Sequence, residues 1–199
     1  MHYPLILLAA GKSSRMGFPK GRLSIQGTAL LTHQWQRFSQ AGGQQGWVVL
    51  AEGDSESEPL IPPWVTVLHN PNPQRGTFSS LQIGVSAARA AKAPGAFVLP
   101  LDVPAPTAEV WQALATALVT GIWVAVPCFE QRGGHPVLLS APMLEGLGSK
   151  APGDRLDAII RQLEPTQIVR VGVKDSSVLA NWNSPADLPS PMIQVKFVP

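Results

Sequence analysis

The chain has 199 residues, 45% of them apolar and 14% charged, with a formal net charge of +2. That length suits one well-buried core, so a single domain over 1–199 is expected, and the sparse, balanced charge argues against both a disordered chain and a polybasic nucleic-acid binder. Cys128 is the sole cysteine, which excludes an internal disulfide framework. With no cationic stretch and apolar signal region at the start, a cytoplasmic location is expected.

In chain order, the apolar run Leu5 to Ala10 gives way at once to Gly11, Lys12, Ser13, Ser14 and Arg15. It falls far short of the roughly 20 residues of a spanning helix and reads as a buried strand, so no membrane partner is expected. Leu31, Trp35 and Phe38 share one helical face before Gly42 and Gly43, which suit a helix C-terminus. Trp47 to Leu50, Val65 to Leu68, Ala96 to Leu99 and Ile122 to Val126 are further strand-like runs, and Ser79 to Ala91 repeats the helical pattern. Leu156, Ile159, Ile160 and Leu163 keep the i, i+3, i+4, i+7 spacing and predict the clearest amphipathic helix of the chain. Ser184, Pro185 and Asp187 read as N-cap, first-turn proline and early acidic residue of a short helix, which would set Asn183 at a strand-to-helix corner. Met192 to Val198 reads as an edge strand or a docking segment for a partner subunit. Strands alternating with helical segments imply a parallel sheet. The expected fold class is α/β, a single Rossmann-like three-layer domain with a mostly parallel central sheet.

The stretch LAAGKSSRMGFPK, Leu8 to Lys20, leaves the first strand through small residues and enters a loop with two glycines, two hydroxyls and three cations. Small residues let backbone N–H groups approach phosphate oxygens, and Lys12, Arg15 and Lys20 can offset the charge of a triphosphate. The spacing is neither that of a P-loop nor that of a dinucleotide fold. Leu8, Ala9, Ala10, Gly11, Lys12, Ser13, Ser14, Arg15 and Lys20 are therefore candidate nucleotide-binding residues.

Three later stations belong with this loop. Asn70 through Gly84, NPNPQRGTFSSLQIG, places Asn70, Gly76, Ser79 and Ser80 where N–H and hydroxyl groups could meet the edges of a base or ribose. Asp102, in LDVP, leaves the carboxyl edge of a strand, where ligands bind in open α/β sheets and where a carboxylate can hold a divalent ion that bridges phosphates. Asn183, in NWNSPADL, could add a neutral oxygen ligand. His135, in GGHPVL, is a candidate contact for an acceptor or a phosphate, and the four histidines lack the spacing of a zinc site.

The loop from Leu8 to Lys20 resembles the signature loop of the nucleotidyltransferases that include the molybdenum-cofactor guanylyl- and cytidylyltransferases. The segments around Gly76, Asp102, His135 and Asn183 are similar to that family's later motifs, in the same order. The resemblance implies an Mg²⁺-dependent enzyme that moves a nucleotidyl group from a nucleoside triphosphate to a phosphorylated acceptor such as molybdopterin or molybdenum cofactor, with a protein partner receiving the product. It assigns Lys20 to the α-phosphate, Arg15 to the β- and γ-phosphates, and Asp102 with Asn183 to the metal. Ala10 stands where the guanylyl branch usually has glycine and the cytidylyl branch alanine, so CTP is the expected donor. Asp157 departs from the arginine usual in the family's motif after Gly153, Asp154 and Arg155. Two alternatives remain at this stage, a sugar-1-phosphate nucleotidylyltransferase and a non-catalytic nucleotide-binding regulator.

Overall fold

The computed structural model describes residues 2–11, 20–25, 27–151, 153–183 and 187–188. Its first strand, β1 (Leu5–Leu8), is buried on both faces and pairs in parallel with β4 (Gly46–Ala51) on one side and β6 (Gly95–Pro100) on the other. Beyond β4 lies β5 (Val65–Asn70), again parallel. On the other flank β9 (Val137–Ser140) inserts antiparallel between β6 and β7 (Val124–Phe129), and β10 (Ile168–Gly172) closes the sheet parallel to β7. The order is β10-β7-β9-β6-β1-β4-β5, with the short β8 (Arg132–Gly133) attached to β7. A separate two-stranded ribbon joins β2 (Ser24–Ile25) to β3 (Thr28–Ala29).

Alternation along each central strand sorts its side chains between two apolar layers. Leu5, Leu7, Val48, Leu50, Phe97 and Leu99 face α1 (Leu30–Gln40) and α3 (Ala108–Ala117). Ile6, Leu8, Trp47, Val49, Ala96 and Val98 face α2 (Thr77–Ala90) and α4 (Ala141–Gly148). Helices thus cover both faces of the sheet, as the three-layer reading expects. On the α1 side the rings of Phe38 and Phe97 meet Trp111 edge-on at centroid separations of 5.1 and 5.0 Å, a geometry that aligns ring edges with π-faces.

Several expectations need correction. The helix expected from Leu156 to Leu163 is only six residues, α5 (Leu156–Arg161), and all of it is at least partly exposed. Leu163 lies beyond its end, because the Gln162 N–H already bonds back to the Ile159 carbonyl as the chain leaves the helix. Asn183 follows a 3-10 turn (Ser176–Leu179) and an irregular stretch, not a strand. Ser184, Pro185 and the segment from Met192 to Val198 lie outside the described residues. None of the described helices is long and apolar enough to cross a membrane.

Candidate functional site

Connections from β1 run toward β4 and β5, whereas β6 lies on the other side of β1. The strand order therefore reverses between β1 and β6, and the crevice at their carboxyl ends is the usual ligand position of such a sheet. The register pairs Leu8 with Pro100, and the Leu101 N–H donates to the Leu8 carbonyl at 3.0 Å. Two candidate segments, Ala9 to Gly11 and Leu101 to Val103, thus leave the sheet side by side. Ala9 still pairs with β4 through its N–H to the Val49 carbonyl (2.9 Å), Ala10 is buried, and Gly11 is exposed. Lys12, Ser13, Ser14 and Arg15 lie outside the described residues.

The chain re-enters at a 3-10 turn (Lys20–Arg22), and there the ends of the sequence converge. Lys20 Nζ lies 3.6 Å from Asp102 Oδ2 and donates to Asn183 Oδ1 at 3.2 Å. Asn183 reaches this point because the Trp182 N–H donates to the Asp102 carbonyl at 2.7 Å, while the Asn183 N–H is itself accepted by the Asp187 carboxylate at 3.1 Å. A carboxylate oxygen and an amide oxygen therefore aim at one cationic position. The Lys20 side chain is largely buried and that of Asp102 about a third exposed, so the pair is shielded but still reached by solvent.

Asn70, Gly76, Ser79 and Ser80 form a different unit. Gly76 is the N-cap of α2 at φ +92°, a conformation that favours glycine. The Asn70 amide donates to the Ser79 and Ser80 hydroxyls, both at 2.9 Å, and its oxygen accepts the Asn72 N–H at 2.8 Å. Ser79 in turn donates to the Gly76 carbonyl at 2.7 Å. Asn70, Ser79 and Ser80 are buried. Their polar groups hold the 70–76 loop in shape from below, while Gly76 and its neighbours form the surface above.

That surface is one wall of a cleft of about 760 Å³, whose floor includes Leu8, Pro100 and Phe78 and whose far wall includes His135 and Arg155. Gly134 must be glycine there, since any Cβ would collide with the Val178 carbonyl. Burial lowers the pKa of His135 below the ordinary 6.5, with the Val98 backbone and the charge of Asp102 opposing that shift. At the rim, Asp157 accepts from Arg155 (3.0 and 3.2 Å) and from Arg161 (3.0 Å), so two arginines of this wall are partly neutralised by one carboxylate.

One buried polar residue beside this site lies outside every motif of the sequence. Gln34 of α1 is wholly buried and bonded to the loop that carries Asp102. Its signal was available in the sequence. At helical spacing it falls inside the apolar stripe of Leu30, Leu31, Trp35 and Phe38, where a polar side chain needs a partner.

An open, mostly parallel α/β sheet with a lysine and a carboxylate meeting at its switch point is an architecture suited to a phosphorylated ligand. The chain belongs to the family of the MobA-like NTP transferase domain, whose model matches residues 5–167. It is 30% identical over 191 residues, 94% of this chain and 92% of the relative, to a Mycobacterium ulcerans protein named "Probable molybdenum cofactor guanylyltransferase". In fold it is similar to a nucleotidyl transferase from Methanothermobacter thermautotroptrophicus (TM-score 0.78, 21% identity, 94% of each chain). It is likewise similar to Rv0371c from Mycobacterium tuberculosis, crystallised as a complex with manganese (TM-score 0.71, 19% identity, 94% of this chain and 96% of that one).

Proposed function

We propose that this chain transfers a nucleotidyl group from a nucleoside triphosphate to a phosphorylated acceptor of the molybdopterin type, releasing pyrophosphate. The observation that carries the reading is the convergence of Lys20, Asp102 and Asn183 at the switch point, in a chain of the NTP transferase family.

An acceptor phosphate oxygen forms the new bond to the α-phosphorus, and the bond from that phosphorus to the bridging oxygen breaks, its electron pair leaving with pyrophosphate. A phosphomonoester has a second pKa near about 6 and is already largely dianionic at neutral pH, so no side chain need remove a proton. The barrier is the approach of two anions, which positioning and fixed positive charge lower. Lys20 serves the α-phosphate. Arg15, outside the described residues, serves the β- and γ-phosphates.

The donor set at Asp102 and Asn183 fits a hard divalent ion, because both oxygens already coordinate a cationic position, the Lys20 ammonium. Held by Asp102 and Asn183, such an ion, Mg²⁺ in our reading, would supply charge neutralisation for the phosphates; the manganese complex of the M. tuberculosis relative supports a divalent metal.

For the donor base we put GTP first, because the relatives similar over nearly the whole chain are named guanylyltransferases. CTP is the second reading and rests on Ala10, whose methyl is buried where the nucleotide loop begins. The test is pyrophosphate release with each of the four triphosphates against molybdopterin and a panel of sugar phosphates. Release that requires molybdopterin supports the proposal, and release with a sugar phosphate alone overturns the acceptor assignment.

A further inference from the structure

Asp102 lies in a turn directly after β6, where the Val103 N–H donates to the Pro100 carbonyl at 3.1 Å, and a cation ligand on the loop that follows the strand is only as well placed as that loop. The side chain of Gln34 spans that loop. Its Nε2 donates to the Leu101 carbonyl at 3.2 Å and to the Val103 carbonyl at 2.7 Å, and its Oε1 accepts the Ala105 N–H at 2.6 Å. Two carbonyls and one N–H fix which way the amide faces, so the orientation is set by the network. The two carbonyls flank Asp102 on either side.

The same helix anchors Lys20. The Leu23 N–H donates to the Lys20 carbonyl at 3.0 Å, and the Leu30 N–H, at the start of α1, donates to the Leu23 carbonyl at 2.7 Å. Gln34 stands one helical turn further along α1. One rigid element therefore holds the lysine turn at its first residue and the aspartate loop by a buried amide a turn later.

We propose that Gln34 is the positioning residue that sets Asp102 against Lys20, and so preorganises the cation site before any ligand arrives. The inference rests on the reading of Asp102 as a cation ligand. A glutamine is needed because the loop presents both acceptors and a donor. Glutamate has no hydrogen to give the two carbonyls as a carboxylate and only one as the neutral acid, methionine matches the length but satisfies none of the three groups, and asparagine is a methylene too short.

The test uses the full chain, with Mn²⁺ as probe in the presence of GTP and no acceptor, read by electron paramagnetic resonance. Gln34→Met and Gln34→Glu should raise the Mn²⁺ dissociation constant by about tenfold or more and lower kcat by about ten- to a hundredfold, with a KM for the triphosphate changed by less than about threefold. Phe38→Leu, a core change one turn along the same face, is the control for lost stability and should keep the Mn²⁺ constant within about twofold of wild type. Wild-type Mn²⁺ affinity in Gln34→Met, or equal weakening in Phe38→Leu, overturns the proposal.

Hydrogen exchange of the wild type keeps the idea testable if the Gln34 variants do not fold. The Ala105 amide should be protected like the core in the ligand-free protein, and free exchange there overturns the clamp. A wild type that binds no Mn²⁺ and transfers no nucleotide, yet protects Ala105, overturns the functional reading and leaves the clamp standing.

Discussion

The Lys20 ammonium lies 3.6 Å from the Asp102 carboxylate while donating to Asn183, so the protein's own cation occupies the position toward which the two oxygens converge. A divalent ion bound there must displace that ammonium or share the space with it. Lys20→Met should therefore bind Mn²⁺ more tightly than wild type in the absence of nucleotide, by about two- to fivefold for a partly exposed pair. Its kcat should fall all the same, because the proposed contact to the α-phosphate is lost. Mn²⁺ titration of both proteins checks this, and equal affinities would detach Lys20 from the cation site.

Asp102→Ala should lower kcat by at least about a hundredfold while shifting the melting temperature little. The two outcomes separate because the loop is held by backbone bonds to Gln34 and Trp182, none of which uses the Asp102 side chain. Near-wild-type turnover with unchanged metal dependence would remove Asp102 from the site.

Asn70 concerns the other wall. Its side chain satisfies two hydroxyls and one N–H in a buried setting, and truncation leaves those groups unpaired at a cost of about 1–3 kcal/mol. Asn70→Ala should lose stability in that range by urea unfolding and raise KM for the triphosphate more than it lowers kcat. Unchanged KM in a destabilised variant would confine Asn70 to the fold.

How much of this the sequence carried differs by element. The central strands were legible because strands buried on both faces must be apolar throughout, and Leu5 to Leu8 or Ala96 to Leu99 can be little else. The antiparallel insertion of β9 between β6 and β7 was not, since pairing direction depends on contacts between Val98 and Val137 that no local pattern records. The six residues of α5 show the reverse error: the spacing to Leu163 is helical, but Leu156, Ile159 and Ile160 pack only partly buried against the core. Lys20, Asp102 and Asn183 could each be named from residue type and motif. Their meeting across the chain depends on the Trp182 N–H and the Gln34 amide, one a backbone group and the other a glutamine outside every motif.

Two histidines set the pH response. Burial lowers the pKa of His33, with Arg37 on the same helix adding to it, and burial likewise lowers that of His135, opposed by Asp102. Both folded values lie below the ordinary 6.5, so below about 6.5 the unfolded chain binds more protons than the folded one. Stability from neutral burial is full above that pH and declines as pH falls toward the folded values. Melting temperature should fall between pH 7 and 5, and His33→Gln and His135→Gln should each flatten the decline. A slope unchanged in both variants would place its source elsewhere.

The choice of donor base can be tested at Ala10, the third residue of LAAG, which is buried beside the carboxyl end of β1. GTP is the proposed donor, whereas the CTP reading requires the Ala10 methyl to leave less room for a purine than glycine would. Discrimination by one methyl group is worth only about 1–3 kcal/mol, roughly 10–200-fold, so contacts made by other residues can outweigh it. The decisive quantity is kcat/KM for GTP and CTP in the wild type and in Ala10→Gly, with one acceptor throughout. On the GTP reading the wild type prefers GTP, and Ala10→Gly widens that preference by relieving the methyl. A wild-type preference for CTP that narrows in Ala10→Gly would overturn the GTP reading and point to Ala10 in base selection.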